Sequence, residues 1–263
     1  MAAEQIVLNG APILQIQGLR KNYGGVPALQ GVDIEVRKGE VCGLIGPNGS
    51  GKSTLFDCCT GLQKSDAGRV LLKGTDISGW SMNRIARDGK LLRSFQKTVV
   101  FQTMNCEENL VLAGQMFSFP SLASTFWHGP ATRRRIRRLK ERAAELIEVS
   151  GLSRVAHLPA GNMSGGQQKL LQFASMLMPE PEMVMLDEPL AGINPILIEK
   201  VIQTIESANR QFGITFVVIE HNIDVLMKLS HRVVVLHQGM KLADDTPEAV
   251  VRNPQVVEAY LGG

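Results

Sequence analysis

The chain has 263 residues, of which 44% are hydrophobic and 20% charged, and it carries a formal charge of +3. Those values exclude disordered, collagen-like and disulfide-scaffold classes, and 28 Lys+Arg against 25 Asp+Glu is too small a surplus for a dedicated nucleic-acid binder. At about 150 residues per domain, the length allows one large α/β unit or a core with an appended subdomain.

Cys42, Cys58, Cys59 and Cys106 show neither a C-x-x-C pair nor zinc spacing, and they read as buried thiols of a reducing cytosol. The N-terminus lacks the basic-then-apolar layout of a signal peptide, and no apolar run approaches the roughly 18 to 20 residues that cross a bilayer. The expectation is a soluble chain, or one held at a membrane by a partner.

Strand patterns fall at Ile13–Leu19, Val32–Val36, Val41–Ile45, Val70–Leu72, Val184–Leu186, Thr215–Ile219 and Val233–Leu236, separated mostly by glycine-marked turns or amphipathic helical patterns. The later runs are uniformly apolar and β-branched, as in strands buried on both faces of a parallel sheet. The fold class is therefore α/β. Tyr23, placed before Gly24-Gly25, suits an exposed turn aromatic.

After the strand Val41–Ile45 comes Gly46-Pro47-Asn48-Gly49-Ser50-Gly51-Lys52-Ser53-Thr54, a complete G-x-x-x-x-G-K-[ST] that leads into a helical pattern. Glycines at 46, 49 and 51 let the backbone wrap a phosphate and turn its N–H groups inward, and the helix N-terminus adds favourable partial charge. Lys52 would reach the β- and γ-phosphates, and the Ser53 hydroxyl would ligate Mg²⁺.

Between Gln96 and Ser164 the strand signals stop, and Leu139, Ala143, Leu146 and Ile147 recur at helical spacing. This reads as a helical insertion. Its stretch Phe117, Phe119, Phe126 and Trp127 has four of the chain's thirteen aromatics, and a run follows from Thr132 to Arg142 with seven basic side chains and one acidic. That run alone is +6, so everything else sums to −3. The aromatics form either a satellite core or, with the basic run, a surface for a partner or a membrane face.

Met163-Ser164-Gly165-Gly166-Gln167 opens the next helix, with Ser164 a plausible N-cap. Two glycines are poor formers of a first turn, and close approach by an anion would explain both. Met183-Val184-Met185-Leu186-Asp187-Glu188 is an apolar strand ending in two carboxylates. Ligands of doubly wound sheets bind beyond the carboxyl ends of the strands, so Asp187 and the 46–54 loop should share one edge. Asp187 suits a Mg²⁺ shell, and Glu188 is placed to polarise an attacking water. His221 follows Thr215–Ile219 at the same edge, whereas His128, His157, His231 and His237 read as structural.

The ordered set of Tyr23, the 46–54 loop, Ser94-Phe95-Gln96, Met163 to Gln167, Leu186-Asp187-Glu188-Pro189 and His221 resembles the ATP-binding cassette (ABC) ATPase family across essentially the whole chain. The resemblance implies a P-loop cassette with a mostly parallel sheet core, an antiparallel β part and an inserted helical subdomain. Residues 1–96 and 164–263 would form the core, and 97–163 the insertion. It also implies two subunits closing head to tail on two ATP molecules. Ser164, Gly165, Gly166 and Gln167 of one would then face the γ-phosphate held by Lys52 of the other. Tyr23 would stack on adenine, Gln96 would sense Mg²⁺ and water, with Gln102 a rival, and His221 would be the switch histidine at the γ-phosphate.

Met163 stands where leucine is usual, a swap of similar volume. Asn194 stands where many cassettes have Asp, which weakens any charge-based contact there. Leu190 to Pro195, Glu220 to Val225, Thr246-Pro247-Glu248, Asn253-Pro254 and Ala259 to Gly262 look like the ATP-binding subunits of branched-chain amino acid importers, whose insertion is similarly long. Urea or short-chain amide importers and lipopolysaccharide-export cassettes are the nearest alternatives. A soluble nucleotide-gated clamp is the alternative of another class, although the heptads of a coiled-coil ATPase are missing. The importer reading implies transmembrane permease subunits, a second cassette, an indirect solute-binding protein and a peripheral place at the cytoplasmic face of the inner membrane. Nucleic acid is not an expected partner.

Overall fold

The structure, a computed structural model, describes residues 11–94, 99–118, 130–191 and 195–261. Strands β1 (Pro12–Tyr23) and β2 (Val26–Arg37) form an antiparallel hairpin whose turn, Gly24-Gly25, has φ of 53° and 89°. Two consecutive left-handed residues match the right-handed twist of the flanking strands, and glycine adopts them without strain. Both strands outrun their alternating apolar patterns because register shifts between Ile16 and Leu19 interrupt the alternation. With β4 (Ala67–Leu72) and β5 (Thr75–Asp76) they make a sheet of order β2-β1-β4-β5.

The uniformly apolar runs become the middle of a second sheet. Strands β3 (Val41–Ile45), β7 (Met183–Asp187) and β8 (Thr215–Ile219) are buried at every residue. With β6 (Leu91–Arg93), β9 (Arg232–His237) and β10 (Met240–Asp245) they give the order β10-β9-β3-β8-β7-β6. Every neighbouring pair is parallel except β9–β10. The segments after β3, β6, β7 and β8 therefore leave from one edge, the carboxyl edge.

The helices in chain order are α1 (Lys52–Cys59), α2 (Met82–Arg84), α3 (Cys106–Ser118), α4 (Pro130–Val149), α5 (Gly165–Leu177), α6 (Pro195–Phe212), α7 (Ile223–Leu229), α8 (Pro247–Arg252) and α9 (Pro254–Leu261). The chain divides into two compact units. One comprises residues up to Arg93, Glu182–Pro189 and residues from Asn209 onward; the other comprises Ser94–Pro181 and Leu190–Ala208.

In the first unit, Leu55, Phe56 and Cys59 of α1 share one core with Leu14 and Ile16 of the antiparallel sheet and Leu44, Met185 and Val217 of the parallel one. This fixes the helix that follows the glycine-rich loop. In the second unit, Leu139, Ala143 and Leu146 are buried along α4 at the expected helical spacing, while Arg133, Arg134, Arg135, Arg137 and Arg138 are exposed. Lys140 of that helix pairs with Glu107 at 2.7 Å. All four cysteines are unbridged and buried; burial pushes the Cys42 thiol up to about 12 and those of Cys58 and Cys106 to about 11. Among the described residues no helix is long and apolar enough to cross a membrane.

Candidate functional site

The 46–51 loop leaves β3 and enters α1 with Gly46, Gly49 and Gly51 at φ of 152°, 78° and 101°. A Cβ at Gly46 would lie 2.1 Å from the Leu236 carbonyl oxygen, and one at Gly51 would lie 2.5 Å from that of Ala28. The backbone at both positions is thus pressed against neighbouring main chain, where no side chain fits. Gly49, by contrast, faces open space, with Asn48 exposed beside it and Pro47 half-buried.

Lys52 is 8% exposed, and its ammonium donates to the carbonyls of Gly46 at 2.7 Å and Pro47 at 3.0 Å, with Ser50 Oγ at 3.5 Å. Burial holds its pKa below the ordinary lysine value, opposed by the charges of Glu188 and Asp187. Ser53 is exposed in the first turn of α1, with Thr54 half-buried beside it.

Asp187 ends β7 and is 7% exposed; its Oδ2 accepts from Arg93 at 2.8 Å. Arg93, the last residue of β6, also pairs with Asp57 and lies over the Phe56 ring, 5.6 Å from its centre. Burial lowers the Arg93 pKa, but the hydrogen bonds and charges of both carboxylates outweigh it, so the guanidinium is held above its ordinary value.

Glu188 turns at φ 50°, which lets its N–H donate to the Ile219 carbonyl of β8 at 2.9 Å. Its Oε1 lies 2.8 Å from Nε2 of His221. Which of the two donates depends on the imidazole tautomer; an ionised carboxylate only accepts, and with one the proton is on Nε2. The other histidine with a described ring contact is of a different kind: His231 Nδ1 accepts from the Val41 N–H at 2.9 Å.

Tyr23 stands at the β1–β2 hairpin tip, 44% exposed, with the Lys21 ammonium 5.5 Å from its ring centre. Gln96 and Asn194 lie outside the described residues. Gln102 is exposed, and its carbonyl accepts from Gly161 at 2.8 Å.

In the second unit, Ser164 and Gln167 form a reciprocal capping box: Gln167 N–H donates to Ser164 Oγ at 3.3 Å, and Ser164 N–H donates to Gln167 Oε1 at 2.9 Å. The two glycines between them differ. A Cβ on Gly166 would come within 1.8 Å of Leu197 Cδ1, so close packing of α5 on α6 is one reason for that glycine. A Cβ on Gly165 would meet nothing within 4 Å, so packing gives no reason for the first. Met163 is buried at 6% exposure, filling the place of a leucine.

The structure thus brings Lys52, Ser53, Asp187, Glu188 and His221 to the carboxyl edge of one sheet. Three residues there went unnoticed in the sequence. Arg93 and Asp57 carried no local signal: Arg93 ends β6, a three-residue strand with only Leu91 buried, and Asp57 lies one turn beyond Ser53 on α1. The third is Tyr260 of α9. Burial pushes its phenol up, partly offset by a hydrogen bond that the phenolic oxygen accepts from the Gly46 N–H.

Residues 29–191 match the ABC transporter family, and residues 240–263 match the branched-chain amino acid ATP-binding cassette transporter family. The chain is 38% identical over 251 residues to the high-affinity branched-chain amino acid transport ATP-binding protein BraF of Pseudomonas aeruginosa, spanning 95% of this chain and 98% of that one. It is 37% identical, with the same coverage, to the LivG protein of that description from Escherichia coli. Among solved structures it is similar to the ADP conformation of MJ1267, an ATP-binding cassette of an ABC transporter, with a TM-score of 0.80 and 32% identity. The match covers 96% of this chain and 100% of that one.

Proposed function

The chain belongs to the ABC transporter family of ATP-binding cassettes and is a transport ATPase, and from that premise we propose that it hydrolyses Mg-ATP to drive import of branched-chain amino acids. One observation carries the site: Lys52, Asp187 and the Glu188–His221 pair converge at the carboxyl edge of the parallel sheet. The 240–263 match and the names of the relatives support the solute class.

Lys52 holds the β- and γ-phosphates, exchanging the loop carbonyls of Gly46 and Pro47 for phosphate oxygens. The N–H groups of Gly49 and of Gly51 to Thr54 point at the same anion, and Tyr23 stacks on adenine. The Ser53 hydroxyl and the Asp187 carboxylate are hard oxygen donors of the kind Mg²⁺ takes, together with phosphate oxygens and water. When bound, that ion neutralises charge on the phosphates. Glu188 takes the proton of the attacking water as its oxygen bonds to the γ-phosphorus and the bond from phosphorus to the ADP oxygen breaks. His221 donates Nε2–H to Glu188 Oε1, fixing the direction of the carboxylate for that transfer.

A second subunit completes the site with its own 164–167 helix start, where the open face of Gly165 admits a phosphate. The protein is one ABC ATPase domain, with 1–96 and 164–263 as the nucleotide-binding core and 97–163 as the helical insertion. It sits peripherally at the cytoplasmic face of the inner membrane on transmembrane permease subunits, served by a solute-binding protein. Gln96 opens the insertion and senses closure, and the arginine face of α4 meets the permease or the anionic leaflet.

The test is Glu188→Gln in the purified protein and in cells. ATP binding and ATP-driven dimerisation should persist while turnover falls by about 10² to 10⁴, the usual contribution of a general base. Uptake of labelled leucine, isoleucine and valine should fall with it. Normal turnover would sink the assignment of Glu188, and ATP-dependent uptake of urea in place of these amino acids would sink the solute class.

A further inference from the structure

The Arg93 side chain is 10% exposed, and its three nitrogens are not treated alike. One terminal nitrogen pairs with Asp57, the other donates to Asp187 Oδ2 at 2.8 Å, and buried Nε has no hydrogen-bond partner among the described residues. The fork is thus set by its two carboxylates and by the Phe56 ring beneath it.

The two carboxylates stand on different elements. Asp57 lies four residues after Ser53 on α1, so the two share one helix face a turn apart. Asp187 is the last residue of β7. The guanidinium therefore ties the helix that carries Ser53 to the strand that carries Asp187. A planar fork can hold two carboxylates at a fixed spacing and orientation, whereas a lysine ammonium is a single point charge.

Resting on the nucleotide-site reading above, we propose that Arg93 is a positioning residue for the metal: by joining Asp57 to Asp187 it sets the separation of Ser53 and Asp187 and the orientation of the Asp187 carboxylate. It touches neither nucleotide nor reacting atoms. Partners that orient a metal ligand typically change metal affinity by about 10- to 100-fold when removed.

The experiment uses the full chain and follows a fluorescent ATP analogue, first in EDTA and then across a Mg²⁺ titration, with thermal unfolding and steady-state kinetics alongside. Arg93→Lys should raise the Mg²⁺ midpoint by about tenfold or more and leave metal-free analogue affinity within about twofold. Asp57→Asn, which opens the same link from its more exposed side, should move the midpoint in the same direction, and the double variant should be little worse than Arg93→Lys alone. Kinetically, the KM for Mg²⁺ should rise before kcat at saturating Mg²⁺ falls.

A lowered Tm with an unchanged Mg²⁺ midpoint in Arg93→Lys would reduce the residue to a structural ion pair and overturn the proposal. If Arg93→Lys does not fold, Asp57→Asn decides alone on the same midpoint. A wild-type protein that binds the analogue identically with and without Mg²⁺ would instead refute the site reading itself.

Discussion

Two arginines lie between paired carboxylates at opposite edges of the six-stranded sheet. At the amino edge, Arg232 begins β9 and donates Nε to Glu40 Oε1 at 2.6 Å, one terminal nitrogen to Asp244 and the other to the Glu35 carbonyl. Glu40, 1% exposed, also accepts from the Arg37 N–H at 2.7 Å. Every nitrogen of that guanidinium has a partner. At the carboxyl edge, Arg93 has a similar pair of acids but an unpartnered Nε, and its acids stand on the two elements that carry Ser53 and Asp187. The first cluster is closed and fastens strands together. The second leaves Nε unpartnered and lies beside residues proposed above to receive a ligand. On the proposal above, arginine–carboxylate chemistry serves architecture at one edge and ligand geometry at the other, and the distinction is carried by which elements the carboxylates stand on.

The largest effect that separates the edges is expected from Lys52→Ala. Removing an ammonium that makes two or more charge-assisted bonds, each worth about 1.5 to 3 kcal/mol, should weaken ATP binding by at least about 100-fold in an analogue titration. Unchanged affinity would erase the special status of the carboxyl edge. Arg232→Met should act on the other quantity. It leaves Glu40 buried without its cation, which costs about 3 to 5 kcal/mol, so denaturant unfolding should report a large loss while ATP affinity of the folded fraction stays within about twofold. A nucleotide defect as large as that of Lys52→Ala would show that the two edges are coupled. The smallest effect belongs to Tyr260→Phe, which removes one acceptor from the Gly46 N–H. A single neutral hydrogen bond is worth about 0.5 to 1.5 kcal/mol, so analogue affinity should change by less than about tenfold. A 100-fold loss would move Tyr260 from the loop's support into the ligand's direct contacts.

What could be read from the sequence follows physical range. The loop at 46–54 and the acids at 187–188 are contiguous runs whose chemistry is local, and β3, β7 and β8 are uniformly apolar, so their place in the sheet and their common edge were legible. β10, Met240–Asp245, was not, because Lys241, Asp244 and Asp245 give it no apolar alternation and it is held by antiparallel pairing to β9. The extra length of β1 and β2 was hidden by the bulged register near Gly18, which shifts the alternation from one face to the other. Arg93 is 36 residues from Asp57 and 94 from Asp187, and no local pattern encodes a bond of that span. Gly166 shows a subtler limit. Both glycines of the 164–167 turn invited one anion-based explanation, yet the Leu197 side chain supplies a packing reason for the second alone.

The left-handed turn at Glu188 bears on how this protein could be engineered. Its φ of 50° accompanies the bond from its N–H to Ile219, a main-chain contact independent of the side chain, and such a conformation disfavours most L residues by roughly 1 kcal/mol or more. Glycine or asparagine occupies it with less strain. Stability by itself therefore gives no reason for a glutamate at 188. With Glu188 in the role proposed above, a laboratory selection for heat resistance would be free to discard that carboxylate, yielding a sturdier cassette that grips nucleotide and no longer consumes it. Durability and turnover are set against each other at this single backbone angle.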